Sequence, residues 1–140
     1  MAKNPEVELK LPIIPDIELS ATKTAEVISK HMNLSEEKTA EISMALIEAC
    51  INAFEHSKTK EVYIHFIVSN DKLTVKVIDK GIGFDKSKVQ IPNIENKLQK
   101  DERKRGWGLQ LITELMDTVE YESNDEGGTT VTMTKDRDNE

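Results

Sequence analysis

The chain has 140 residues and a mass of 15.8 kDa, the size of one domain around one core. With 19 Lys+Arg against 26 Asp+Glu its net charge is -7, which argues against nucleic acid or an anionic membrane as partner. No apolar run nears the roughly 20 residues of a membrane helix, the opening MAKNPEVELK has no signal-peptide core, and one cysteine excludes an internal disulfide and fits a reducing, cytoplasmic setting.

Val7 to Ile14 alternates and is closed by Pro12 and Pro15, which reads as an edge strand, where a missing N–H is tolerated. From Asp16 to Met32, Ile17, Ala21, Thr24/Ala25 and Ile28 recur at helical spacing. Ser35 is placed to cap a second helix, with Glu36 and Glu37 at its positive end. Ile42, Leu46, Ala49 and Ala53 mark the apolar stripe of that helix, to about His56. Val62, Ile64, Phe66 and Val68 share one face of a strand. Asn70-Asp71 turns the chain, and Leu73, Val75 and Val77 share one face of the return strand. Residues 86 to 105 have no clear period. A third helix is expected from Trp107 to Met116, with Leu109, Ile112, Leu115 and Met116 inward. A second hairpin joins Val119–Ser123 to Thr129–Thr134. Helices and hairpins come in clusters, so the order predicts an α/β (α+β) two-layer sandwich: a mostly antiparallel sheet with helices on one face. It is a poor match to a doubly wound dinucleotide fold.

Four patterns bear on chemistry. Glu48, Asn52 and His56 share one stripe of the second helix. The carboxylate can take a proton or orient a nucleophile, and the amide oxygen suits Mg²⁺. The ordinary reading of such a stripe is the solvated side of an amphipathic helix. Asp79-x-Gly81-x-Gly83 ends a strand: the glycines permit close approach of backbone, and Asp79 can accept a hydrogen bond from an exocyclic amine. Arg105-Gly106-Trp107-Gly108-Leu109 opens a helix whose free N–H groups suit an anion. No Lys-Ser/Thr follows, which excludes a P-loop. Between the glycine motifs, residues 86–105 hold seven basic and three acidic side chains, a net of +4. Such a loop is either solvated or a lid over polyphosphate, since screening confines its reach to about 8 Å. Gly128-Thr129 adds a hydroxyl at the start of the last strand. Each pattern is weak by itself. In this order they describe a nucleotide pocket between helices and sheet, with adenine at Asp79, Mg²⁺ at Asn52 and phosphates under the lid.

At these residues the sequence resembles the Bergerat-fold ATPases, the group of gyrase, histidine kinases, mismatch-repair proteins and a heat-shock chaperone. Glu48-x-x-x-Asn52 is similar to their N box, Asp79-x-Gly81-x-Gly83 to their first glycine box, Gly106-x-Gly108-Leu109 to their second and Gly128-Thr129 to their final box. Within that group the chain most resembles the anti-sigma factor serine/threonine kinases of bacterial partner switching. The resemblance spans nearly the whole chain and includes Ile47-Glu48-Ala49-Cys50-Ile51-Asn52-Ala53 and Leu115-Met116-Asp117. It implies one domain over 1–140 with a lid at about 84–106, a mixed sheet with a left-handed βαβ connection, and bound ATP and Mg²⁺. It also implies transfer of the γ-phosphate to Ser or Thr of a STAS-type antagonist, binding of a sigma factor, and a homodimer. Glu48 would orient or deprotonate the acceptor, Asn52 would hold Mg²⁺, and Asp79, Gly81, Gly83, Arg105, Gly106, Gly108, Leu109 and Thr129 would bind nucleotide. Three positions depart from or extend the pattern. Trp107 stands where a Leu-like or small residue is usual, Ala21-Thr22-Lys23-Thr24 lacks the first-helix Arg, and His56 falls where the N box often continues with His. A non-catalytic ATP-dependent binding module is the alternative from another class. A sensor histidine kinase ranks third, because no histidine sits in an evident acceptor helix and the lid lacks Phe-x-Pro-Phe.

Overall fold

The structure is a computed structural model that describes residues 4–56, 60–79, 110–123 and 128–137. Five strands and two long helices follow in the order β1 (Glu6–Pro12), α1 (Glu18–His31), α2 (Glu36–His56), β2 (Glu61–Val68), β3 (Lys72–Asp79), β4 (Thr118–Ser123) and β5 (Thr129–Asp136). Residues 110–115 are helical as well. They are the described part of the third expected helix, and its opening at Trp107 lies outside the described residues.

The strands form one sheet in the order β1-β2-β3-β5-β4. Every described pairing is antiparallel. The sheet is thus more uniform than the mixed sheet expected: β3 and β4 run the same way, but β5 lies between them. The proline-closed β1 is an edge strand, as its sequence demands.

Alternation decides which face is dry. Val62, Ile64 and Phe66 of β2, Leu73, Val75 and Val77 of β3, and Val131 and Met133 of β5 are buried. The register sets Ile64 opposite Val77 and Val77 opposite Val131, so these side chains share one face. Helix α2 lies across β2, β3 and β5, and α1 contacts α2 and β2. The opposite face carries Glu8, His65, Lys76 and Thr132 in one row and stays wetter.

Local chemistry fixes the helix ends. At the end of α1, Asn33 N–H donates to Lys30 O and Leu34 N–H to Ser29 O, both at 3.0 Å. Asn33 takes φ 60°, the left-handed residue such a terminus requires and one that asparagine tolerates. Ser35 then caps α2, its Oγ accepting from Lys38 N–H at 3.1 Å. Ile42, Ala45, Leu46, Ala49, Cys50 and Ala53 are the buried face of α2, and Ile112 and Met116 join the same core. Burying a side chain such as Phe66 contributes about 2–3 kcal/mol.

Candidate active site

Asp79 is the last residue of β3 and Thr129 the first of β5. They are register partners, so their Cα atoms stand about 4.5–5.5 Å apart. Both continue the core-facing alternation of their strands. Asp79 is 2% exposed and Thr129 9%. A carboxylate and a hydroxyl therefore sit side by side at one end of the dry face.

Helix α2 reaches the same end. Near its start, Glu41 forms an ion pair with Lys135 of β5 at 2.7 Å, and Lys38 Nζ donates to Asp136 O at 2.7 Å. From Glu41 to Asn52 is about 16 Å along a helix. From Lys135 to Thr129 is about 20 Å along a strand. The connection from His56 to Glu61 is short, and Val62 pairs with Asp79. Asn52 thus lies toward the end of α2 that faces the Asp79–Thr129 row, with Glu48 one turn behind it. Asn52 is buried and Glu48 half-buried, so the stripe Glu48–Asn52 is not the freely solvated face that helices normally turn to water.

The hydrogen bonding of Asn52 and Thr129 bears on what this end can hold. Asn52 Nδ2 and Thr129 Oγ1 are buried and have no hydrogen-bond partner among the described residues. Native folds rarely leave such groups unsatisfied, and a site awaiting a ligand is one recurrent reason. These residues therefore fit a polar ligand seated against Asp79, Thr129 and Asn52. Among the described residues no cluster of three His, Cys, Asp or Glu is present. Asn52, whose amide oxygen is a hard ligand, is the described residue that would hold a Mg²⁺ ion shared with substrate phosphates.

Cys50 lies on the buried face of α2, and burial pushes its thiol up to about 12. It is a small core residue, as its apolar neighbours predict, and not a nucleophile. Gly81, Gly83, Arg105, Gly106, Gly108, Leu109, Trp107 and the proposed lid lie outside the described residues, as does the side chain of His56. Glu41 and Lys135 belong to none of the sequence motifs. The signal was present in the alternation Val131, Met133, Lys135, which places a lysine at a core position of β5.

Comparison with known proteins places the chain in a family. Residues 17–135 match the Histidine kinase-like ATPase domain. The chain is 32% identical over 138 residues to the Serine-protein kinase RsbW of Bacillus pumilus, covering 92% of this chain and 84% of that protein. Its identity to the Serine-protein kinase RsbW of Bacillus subtilis is 32% over 136 residues, with the same two shares. Two solved structures share its fold. One contains the RsbU and RsbW domains of a Mycobacterium tuberculosis protein, with TM-score 0.68 and 18% identity, covering 96% of this chain and 33% of that one. The other is the SiaB-SiaC complex of Pseudomonas aeruginosa, with TM-score 0.66 and 8% identity, covering 91% of this chain and 88% of that one. The chain belongs to the histidine kinase-like ATPase family, among the serine-protein kinases of the RsbW type.

Proposed function

We propose that the chain uses ATP to phosphorylate a Ser or Thr of a STAS-type antagonist, and that it also binds and silences a sigma factor, as an anti-sigma regulator of partner switching. The observation that carries this reading is the buried row of Asp79 and Thr129 with Asn52 nearby, where Asn52 Nδ2 and Thr129 Oγ1 have no hydrogen-bond partner among the described residues. Asp79 accepts from the exocyclic amine of adenine, and Thr129 completes the base end. Asn52 holds Mg²⁺ through its amide oxygen. Gly81, Gly83, Gly106, Gly108 and Leu109 let backbone approach the phosphates, with Arg105 and the basic stretch as counter-charge. Mg²⁺ neutralises phosphate charge when bound.

Phosphoryl transfer needs positioning and charge neutralisation above all. The acceptor oxygen forms a bond to the γ-phosphorus, and the bond to the bridging β–γ oxygen breaks, leaving ADP. Glu48 orients the hydroxyl and takes its proton. Its half-buried place beside Asn52 suits that role better than full solvation would. The kinase name of the Bacillus relatives supports the chemistry. The SiaB-SiaC structure, a complex, supports a protein partner. The family likeness supports a homodimer and a single domain over 1–140, and the lone cysteine supports a cytoplasmic setting.

The test is transfer of label from γ-labelled ATP, with Mg²⁺, to a STAS-domain protein of the same organism. Label should appear on a Ser or Thr, and Glu48→Ala should slow its transfer about 100-fold or more, the scale of a lost general base, while ATP binding is kept. ATP binding without transfer to any STAS-domain protein of that organism would leave only the non-catalytic binding module.

A further inference from the structure

Among the described residues, Asp79 and Lys135 are the charged side chains that are buried, and the reading above gives Lys135 no task. Lys135 is 6% exposed. Taking an ammonium out of water is costly unless acceptors surround it. Lys135 Nζ meets Glu41 Oε1 of α2 at 2.7 Å and donates to the carbonyl oxygen of Leu115. Leu115 is the last helical residue of 110–115. Its carbonyl is one of those a helix C-terminus leaves without an internal partner, at the negative end of the dipole.

The turn after that helix is tied down at further points. Asp117 N–H donates to Thr134 O at 2.9 Å. Asp117 Oδ2 accepts from Asp136 N–H at 2.6 Å, and Lys38 Nζ reaches Asp136 O. One ammonium on β5 thus clamps two helices to each other. One is α2, which carries Glu48 and Asn52. The other, 110–115, comes after Gly106-x-Gly108-Leu109 in sequence. A buried ion pair stabilises little compared with apolar residues of the same volume, so its use here favours a role in setting position.

We propose that Lys135 is a positioning residue: by joining Leu115 O to Glu41 it fixes the offset between the 110–115 helix and α2, and with it the grip on the nucleotide's phosphates. This rests on the nucleotide site proposed above. Phosphate binding should depend on Lys135, and recognition of the base should not.

The measurement compares Mg·ADP with adenosine, which has no phosphate, on the folded full chain. In K135M/E41Q both members of the pair become neutral, so no charge is left buried alone. Mg·ADP affinity should fall about tenfold, a usual size for coupling through neighbouring elements, and adenosine affinity should stay as in wild type. Amides 110–117 should exchange hydrogen faster. K135R, which keeps the donors, should restore Mg·ADP affinity. Should the double variant fail to fold, D117A loosens the same turn from the surface and should give a smaller loss in the same direction. Equal losses for both ligands, or no loss for either, would overturn the proposal and leave Lys135 a purely structural residue. Wild-type protein that binds neither ligand would overturn the nucleotide reading, and this inference with it.

Discussion

Asp79 occupies a position where the alternation Leu73, Val75, Val77 calls for an apolar side chain. A carboxylate accepts that burial only where neighbours or a ligand engage it. Asp79→Asn exchanges a charged acceptor for an amide that also presents donors to the adenine amine. ATP affinity in calorimetry should drop at least about tenfold, the low end for losing a hydrogen bond to a charged group. Unchanged affinity would remove Asp79 from the base site. Cys50 gives a pH signature. Its thiol is raised from the usual 9.0 to about 12 in the fold, chiefly by burial. Above pH 9 the unfolded chain loses this proton while the native one keeps it, so stability falls as pH rises from about 9 to 12. The urea midpoint should therefore decline less in Cys50→Ala than in wild type between pH 8 and pH 10. Parallel declines would assign the slope to other groups. At this scale spacing alone singles out Asp79, Asn52 and Glu48 as candidates. Which of two faces Glu48 and Asn52 occupy was open, because helical spacing does not say how far round the core extends. Their burial resolved it.

Among the elements, the most readable were those whose period and punctuation agree. The stripe Ile42, Leu46, Ala49, Ala53 and the cap at Ser35 give α2 its start and its buried side, and the structure places both as expected. The β2–β3 hairpin follows from strict alternation around Asn70-Asp71. Pairing order was less legible. Nothing local tells β5 to insert between β3 and β4, since that depends on how the 110–115 helix is laid over the sheet. Lys135 was missed for a related reason: a lysine at an inward position reads as a strand end until Glu41 and Leu115 O are seen to receive it. Ser35→Ala should cost about 1 kcal/mol of stability, the usual value of an N-cap. A urea midpoint equal to wild type would mean that the reciprocal turn at Asn33 and Leu34 already fixes the start of α2.

At the scale of the whole molecule, the fold separates two kinds of surface. One sheet face is sealed by helices, and its far end holds polar groups that the described fold leaves incomplete. The other face is a polar surface crossed by Glu8, His65, Lys76 and Thr132. Among the described residues no helix is long and apolar enough to cross a membrane. A ligand that binds only the folded state adds stability in proportion to the logarithm of its concentration over Kd. Mg·ADP should therefore raise the melting temperature, EDTA should cancel the rise, and Mg·GTP at equal concentration should have little effect because Asp79 faces a carbonyl where adenine has an amine. Loss of selectivity between the two would contradict a base site at Asp79.

The location of the site is open to direct observation by titrating isotope-labelled protein with Mg·ADP and following backbone amide resonances. The largest changes should fall on residues 77–79 and 128–130, at one end of the sheet, and on 48–55, toward the end of α2 that faces them. Perturbation concentrated on the polar face at His65, Lys76 and Thr132, with Asp79 and Thr129 unmoved, would contradict the account.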